Sequence, residues 1–203
     1  MKKLSLLFGV VFVLGSFASA SAIDQTGKFA VGGHLGYSFG FGDAFKKYER
    51  SYESPLTGFE EFKYQNKVTY CFWGNIKYGL NPNLALMGIV DYQAGDVEVT
   101  GSVGEVSGSI SDSYHWTSVL GNLLFNMTPE RNTCPYFFGG GGLYIPNEGD
   151  NKPGVNLGGG IEHFFQENLA LDFGTRFHTI FTEGQNTNYL NVYAGFNYYF
   201  STK

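Results

Sequence analysis

The chain is poor in charged residues and in long hydrophobic runs. Only 15% of its 203 residues are charged, whereas a soluble domain usually carries about 25%. After residue 22, no apolar run approaches the roughly 20 residues that a membrane-spanning helix needs, which argues against a helical membrane protein. The 18 acidic residues outnumber the 13 basic ones, so the basic footprint of a nucleic-acid-binding protein is absent.

The one long apolar run lies at the start of the chain and is typical of a secretory signal peptide. Two lysines precede the apolar stretch 4–17, and overlapping small-x-small cleavage sites follow at 18–22. We expect cleavage after Ala22. The predicted organisation is therefore a signal peptide, residues 1–22, followed by one exported domain, residues 23–203.

The clearest pattern in the exported part is an unbroken alternation of apolar residues with polar or small ones. In 189–200, Val192 and Phe196 share one face, whereas Asn191 and Asn197 share the other. Side chains along a strand point to alternate faces, so such a segment has one apolar face and one polar face. Seven further segments, each about as long as a tilted membrane strand, show related patterns: 28–39, 67–80, 84–93, 114–127, 136–145, 154–164 and 169–178.

The connections between these segments alternate between short and long. The short ones are 81–83, 128–134 and 166–168, and the long ones are 40–66, 94–113, 146–153 and 179–188. Short turns on one side and long loops on the other are typical of the periplasmic and extracellular ends of a barrel. An even number of antiparallel strands also closes without an edge in lipid. The sequence therefore predicts an all-β fold, an eight-stranded antiparallel up-and-down transmembrane β-barrel.

The charged residues at membrane depth all fall on faces that the alternation assigns to the interior. An Arg or Lys on the lipid side near the midplane would cost about 2–4 kcal/mol. We expect these residues to form an ion-pair network in a lumen just wide enough for side chains, with a gate or ion-selective constriction as the alternative. They are Lys77, Asp91, Glu162, Asp172 and Arg176. Of these, Asp91 is expected at the depth of Arg176. In the segment 136–145, the alternation does not indicate which side chains face the interior of the barrel.

Cys71 and Cys134 are the only cysteines. An even number in an exported protein suggests a disulfide. However, the predicted topology places them at different heights, on the order of 20 Å apart, which is far beyond bridging distance. We predict two free, mostly buried thiols and no disulfide.

The sequence offers little support for metal or cofactor chemistry. The four histidines lie on different segments and lack the spacing of metal ligands. The glycine clusters do not lead from a strand into a helix, as a phosphate-binding loop does. We predict no metal site and no cofactor.

The chain resembles the family of small outer-membrane β-barrel proteins, the OmpA-like and OmpX-like membrane domains. The resemblance rests on the signal peptide, the strand starts Asn-Leu-Ala-Leu at 83–86 and 168–171, the glycine-rich pairs 139–142 and 158–160, and the closing run 192–200. It implies a monomer in the outer membrane of a bacterium, surrounded by membrane lipids and lipopolysaccharide.

The same resemblance implies a route into the membrane. In this family the closing strand resembles the signal that the barrel-insertion machinery recognises. The matching aromatic residues here are Phe196, Tyr198 and Phe200.

Three kinds of function remain open at this point. The long loop 40–66 mixes charged and aromatic residues, which suits a structural or adhesion-like role with an extracellular protein, host ligand or lipopolysaccharide as partner. A solvated loop over the barrel mouth is the alternative for this loop. The second long connection is rich in Gly, Ser and Val over 97–110, and we expect it to extend its two strands as a hairpin above the membrane. A small pore is the alternative function. A lipid A-modifying enzyme is the weakest hypothesis. Residues 178–181 are His-Thr-Ile-Phe and do not match the His-x-Ser-Asn pattern of the deacylases. We therefore predict no catalytic site.

Overall fold

The computed structural model describes residues 24–41, 48–54, 58–103, 106–184 and 186–200. The predicted signal peptide lies outside these residues. The described part of the chain contains no helix that is both long and apolar enough to cross a membrane. Its strands are β1 (Phe29–Phe41), β2 (Tyr48–Ser54), β3 (Gly58–Gly79), β4 (Leu84–Val103), β5 (Val106–Asn126), β6 (Thr133–Pro146), β7 (Lys152–Gln166), β8 (Leu169–Ile180) and β9 (Thr187–Phe200).

Eight of these strands, β1 and β3 to β9, form a closed antiparallel barrel. Each pairs with its neighbours in chain order, and β1 closes the ring by pairing with both β9 and β3. Phe29 lies opposite Phe200 on one side and Tyr78 on the other. The backbone groups at this level are therefore all paired, as hydrocarbon requires. The predicted fold is confirmed.

The outside of the barrel is a continuous apolar surface. Leu35 is 72% exposed and Ile76 is 60% exposed, values that would be costly in water but suit contact with acyl chains. Aromatic side chains cluster towards both ends of this surface, as in the aromatic girdles of outer-membrane barrels. They include Phe29, Tyr78, Tyr198 and Phe200 at the end with the short turns, and Tyr37, Tyr70 and Tyr92 at the other.

The structure decides the facing of the strand for which the sequence pattern was ambiguous. In β6, Tyr136, Phe138 and Tyr144 are buried in the lumen, whereas Phe137 and Leu143 are exposed. Tyr136 pairs with the inward residue Asn126 of β5. Directly opposed residues of two strands share a face, so this pairing places the odd-numbered residues of β6 outside.

The extracellular region differs from the prediction of one long loop over 40–66. Part of that range is strand: β1 continues to Phe41, and β2 pairs along the start of β3. The second loop forms the hairpin that its sequence predicts, in which β4 and β5 pair up to Val103 and Val106. Strand pairing satisfies backbone groups that a loop would leave to water, which explains why these long connections fold as a sheet.

These extensions build what we call the projecting sheet: residues 48–54, 58–69, 94–103 and 106–115. The pairing of β1 with β3 ends at Tyr37 and Tyr70, and that of β6 with β5 ends at Pro146 and Trp116. Beyond these points the four strands pair only with one another. The sheet extends on the order of 40 Å along β3, at about 3.3 Å per residue.

The residues before β1 fold into the opposite, periplasmic end of the lumen. Gln25 is 3% exposed, and its side-chain oxygen accepts a 3.0 Å hydrogen bond from Nδ2 of Asn126. Thr26 forms a parallel bridge with Gly79. Hydrogen bonds from the side chain and backbone of Thr26 lower the pKa of the exposed Asp24 carboxyl. The Gln25 side chain therefore packs inside the periplasmic end of the lumen.

Candidate functional site

The periplasmic half of the lumen holds a cluster of buried charges. Lys77 Nζ lies 2.8 Å from Glu162 Oε1 and 4.0 Å from Asp172 Oδ2. Asn197 donates hydrogen bonds to both carboxylates, at 2.6 Å and 3.1 Å. Tyr199 donates a further one to Glu162 at 2.8 Å. Buried charges are tolerated when they are paired and hydrogen-bonded in this way.

Asp172 connects this cluster to the middle of the lumen. Its Oδ2 lies 2.9 Å from Nε2 of His34, and its Oδ1 accepts a hydrogen bond from the Tyr136 hydroxyl. The Tyr136 hydroxyl also lies 2.7 Å from that of Tyr193. The hydrogen-bonded chain therefore crosses the lumen, because it joins residues of β1, β6, β8 and β9.

A second ion pair lies nearer the outer end. Arg176 Nη2 is 2.6 Å from Asp91 Oδ2, and neither side chain is accessible to solvent. The guanidinium also lies 4.2 Å from the ring centroid of Trp73. Trp73 in turn stacks on His34, with ring centroids 4.8 Å apart and planes 7° from parallel. The arginine is thus held both by charge and by a cation–π contact.

All five residues expected in the lumen network lie inside the barrel, but they form two groups. Glu162 and Asp172 are directly opposed in β7 and β8, and they share Lys77. Arg176 instead pairs across the lumen with Asp91. Arg176 lies four positions after Asp172, which is about 13 Å along a strand. That separation exceeds the reach of a direct contact between their charged groups.

An aromatic layer closes the lumen below its outer mouth. The Tyr144 hydroxyl lies 2.8 Å from Nδ1 of His178, and His178 stacks on Tyr189 with centroids 4.3 Å apart. Trp116 Nε1 donates a 3.2 Å hydrogen bond to the Tyr189 hydroxyl. His178 is completely buried in this layer, so it does not meet the membrane or the medium.

Glycines on the inner face make room for these large rings. A methyl group added to Gly174 would lie 2.5 Å from the Tyr193 hydroxyl oxygen and 2.6 Å from the backbone oxygen of Gly159. At Gly154 it would lie 2.5 Å from the Tyr144 ring. In the glycine-rich segment 158–160, a methyl group added to Gly160 would lie 2.7 Å from the Tyr136 hydroxyl oxygen, so close packing in a narrow barrel accounts for it as well.

Little space remains between the packed side chains. The centre of the lumen encloses a cavity of about 10 Å³ beside Trp73, Asp172 and Arg176, room for at most one water molecule. No group of three or more His, Cys, Asp or Glu side chains in the described ranges is arranged to hold a metal ion. The lumen of this barrel is a packed polar core.

Both cysteines lie where thiols are shielded. Cys71 and Cys134 are each 1% exposed and free.

The residues expected to act as the insertion signal point outward on β9. They are Phe196, Tyr198 and Phe200, which are 55%, 41% and 46% exposed. Their position on the lipid-facing side of the last strand is compatible with that role, which remains a prediction.

Sequence reasoning missed several partners of the lumenal charges. Tyr136 was missed because its strand had no assigned face. Tyr199 and Asn197, which bind Glu162, are polar groups on the inner face of the last strand. The signal that could have found Tyr136 is the register with β5, where the inward residues Asn122 and Asn126 oppose Gly140 and Tyr136.

A closed antiparallel barrel with an apolar outside and a packed ionic inside defines a small transmembrane β-barrel of the outer membrane. Among solved structures, the outer membrane protein OprG from Pseudomonas aeruginosa superposes with a TM-score of 0.54 at 11% identity, covering 88% of this chain and 98% of that one. Neisserial surface protein A gives 0.52 at 15% identity, covering 85% and 97%. Ail, the attachment invasion locus protein of Yersinia pestis, gives 0.50 at 12% identity, covering 86% and 99%.

These similarities concern the fold alone, because the sequence identities are low. No protein-family model matches the chain, and no curated protein matches it. The chain therefore has the fold of the small outer-membrane β-barrels, in agreement with the resemblance noted from its sequence.

Proposed function

We propose that this protein is a surface-binding outer-membrane barrel that presents its projecting sheet to a protein partner outside the cell. The observation that carries this proposal is the unequal length of the strands. The strand β3 spans Gly58–Gly79 and β5 spans Val106–Asn126, whereas β1 ends at Phe41 and β8 comprises only Leu169–Ile180. A strand needs about 9–11 residues to cross the membrane. The additional residues of β3 and β5 therefore extend beyond the membrane on the extracellular side.

The outward side of the sheet changes from apolar to polar residues where it leaves the membrane. Along the outward side of β4, the apolar residues Leu86 and Val90 give way to Glu98 and Thr100. On β5 the outward side continues as alternating serines, of which Ser109 and Ser111 are exposed. Because a lipid-facing strand would not carry such residues, this part of the sheet is built for water.

The other side of the projecting sheet offers an apolar contact point. Val99 and Ile110 are directly opposed and are 38% and 76% exposed. In the described part of the chain, the stretch of β5 that carries Ile110 pairs on one side only, with β4, because the pairing of β5 with β6 ends at Trp116. An open strand edge next to exposed aliphatic side chains is a common docking arrangement for an extended segment of another protein.

The packed lumen does not favour the pore hypothesis. A steady pore needs a continuous water path, whereas two ion pairs and the aromatic layer of Tyr144, Tyr189 and Trp116 fill the interior. The enzyme hypothesis has no supporting geometry either. A histidine acting on lipid A must reach its substrate, and His178 is completely buried.

The proposal is tested by removing the projecting hairpin while keeping the barrel. Asp96 and Ser113 are directly opposed, so replacing residues 97–112 with Asn-Gly should close a two-residue turn without disturbing the barrel. Bacteria displaying either form are measured for adhesion to plates coated with fibronectin, laminin or collagen. We expect at least tenfold fewer adherent cells for the shortened protein on the coating that wild type prefers.

Two controls make this result interpretable. Heat-modifiable gel migration must show that both proteins are folded in the outer membrane. The substitution Ser111→Ala, which keeps the sheet, should leave adhesion unchanged. Equal adhesion of wild type, shortened protein and cells lacking the barrel, on all three coatings, would contradict the proposal.

A further inference from the structure

A cavity of about 460 Å³ opens at the outer mouth of the barrel, above the aromatic layer. Its aromatic side is formed by Tyr114, Trp116 and Tyr144, and its polar rim includes Glu148, Asp150 and Lys152. A volume of this size is within the range of small-ligand sites in proteins. We call it the mouth pocket. It lies apart from the projecting edge and aliphatic residues invoked above.

The rings on the aromatic side of the mouth pocket are held in place without a ligand. Tyr114 and Trp116 stack with ring centroids 5.6 Å apart and planes 15° from parallel. Trp116 is fixed in turn by its hydrogen bond to the Tyr189 hydroxyl. Because these rings are already ordered, a ligand that packs on them would not have to bear the entropy cost of ordering them.

The polar rim is also anchored. The backbone N–H of Asn147 donates to the backbone oxygen of His115 at 2.9 Å, and the side-chain oxygen of Asn147 accepts a 3.3 Å hydrogen bond from the His115 N–H. Gly149 has a φ of +89°, which lets the chain turn between the two acidic residues. The connection from β6 to β7 therefore carries Glu148 and Asp150 at a defined place beside β5.

The mixture of groups indicates the chemistry of the ligand. A pyranose sugar has a flat face of C–H groups that packs on aromatic rings, and hydroxyls on its edge that both donate and accept hydrogen bonds. Carboxylates such as Glu148 and Asp150 accept from hydroxyls, and the ammonium group of Lys152 donates to them. An organic cation would suit the rings and acids but would be repelled by Lys152.

We propose that the mouth pocket binds a saccharide, one sugar ring being packed against Tyr114 and Trp116 with its hydroxyls held by Glu148, Asp150 and Lys152. The sugar could come from the lipopolysaccharide around the barrel or from a glycan outside the cell. The chemistry of recognition is the same for both sources.

The test uses the full exported chain in phospholipid nanodiscs. Saturation-transfer NMR measures binding of methyl β-glucopyranoside, N-acetylglucosamine and choline to wild type, Tyr114→Ala, and the double variant Glu148→Gln/Asp150→Asn. Asp112→Asn is the matched control, because Asp112 lies on the same strand and does not line the pocket. We expect at least one sugar to bind, about tenfold more weakly to Tyr114→Ala and to the double variant, and unchanged in the control.

A second set of nanodiscs containing lipopolysaccharide separates the two sources. Loss of binding of the added sugar in these discs identifies lipopolysaccharide as the occupant, and unchanged binding identifies a glycan from outside. The proposal is overturned if neither sugar binds in phospholipid nanodiscs, if sugar binding is equal in all variants, or if choline binds in preference to both sugars. The double variant preserves the test if Tyr114→Ala does not fold.

Discussion

Arg176 and Asp91 meet across the lumen of the barrel, with Nη2 of the guanidinium 2.6 Å from Oδ2 of the carboxylate. Neither side chain is accessible to solvent, and Trp73 covers the guanidinium. The two residues come from β8 and β4, which are not neighbours in the sheet. The pair therefore connects opposite sides of the barrel, and we expect its loss to lower the free energy of unfolding.

The first prediction concerns this ion pair. Arg176→Met leaves the Asp91 carboxylate buried without its partner, and we expect a loss of about 3–5 kcal/mol in the free energy of unfolding. The double variant Arg176→Met/Asp91→Leu removes both charges and should recover most of that loss. Urea-induced unfolding in phospholipid vesicles measures both, with Glu167→Gln in an exposed turn as the control. A double variant less stable than Arg176→Met would refute the account.

The second prediction concerns the close packing of glycine against aromatic rings. Gly174→Ala places a methyl group 2.5 Å from the Tyr193 hydroxyl oxygen, so we expect destabilisation of about 1–3 kcal/mol from overpacking. Gly88→Ala is the matched control, since nothing lies within 4 Å of the added methyl group there. Both are measured by urea unfolding in vesicles. Equal stability of the two variants would show that the lumen is looser than described.

The third prediction concerns conduction. Since the centre of the lumen encloses only about 10 Å³, wild-type protein should show no steady single-channel steps in planar bilayers. Neutralising Arg176 by Arg176→Met should not create them, because the aromatic layer of Tyr144 and Tyr189 still closes the outer end. Regular ohmic steps from wild-type protein that change in Arg176→Met would instead support the pore hypothesis.

The fourth prediction concerns the boundary between lipid and water. Spin labels at Val192→Cys and Ser111→Cys, attached to the folded barrel in vesicles, should differ in accessibility. The label at Val192 should meet oxygen dissolved in the acyl chains, and the label at Ser111 should meet a water-soluble nickel reagent. The native thiols should not interfere, because both are 1% exposed. Accessibility to the nickel reagent at Val192 would place the barrel wall in water.

The fifth prediction concerns the two native thiols. Cys71 and Cys134 should react with a maleimide only after heat unfolding in detergent, because burial keeps the reagent away. Ser111→Cys on the projecting sheet should react at once in the folded protein, which shows that the reagent is active. Rapid labelling of the native cysteines at room temperature would indicate that the lumen opens. Non-reducing gels of the unfolded protein should show no internal crosslink.

Much of the barrel followed from local pattern. The outward side of each strand could be predicted wherever charge and apolar residues alternate, since lipid excludes Asp172 and Arg176 but accepts Phe173 and Phe177. The pattern was insufficient in β6, where both alternating sets contain aromatic residues and glycine. Only the pairing of Tyr136 with Asn126 placed one set inside.

The candidate sites were less accessible to sequence reasoning. The sequence predicted the inward facing of the five lumenal charged residues and the common depth of Asp91 and Arg176. It did not predict the contacts of Asp172 with His34 and Tyr136. The mouth pocket joins Tyr114 of β5 to Asp150 of the connection after β6, and the sequence does not show that these residues meet.

The amino-acid pattern was sufficient to predict the barrel, the side of most strands that faces lipid, and the positions of the short turns. A period of two together with the exclusion of charge from hydrocarbon requires no knowledge of distant contacts. The closed barrel was needed to show that the pair of Arg176 and Asp91 is separate from the group of Lys77, Glu162 and Asp172, and that β2 pairs along β3 beyond the membrane. These features depend on the heights at which separate strands are brought together when the barrel closes, and strand stagger is a property of the closed barrel as a whole.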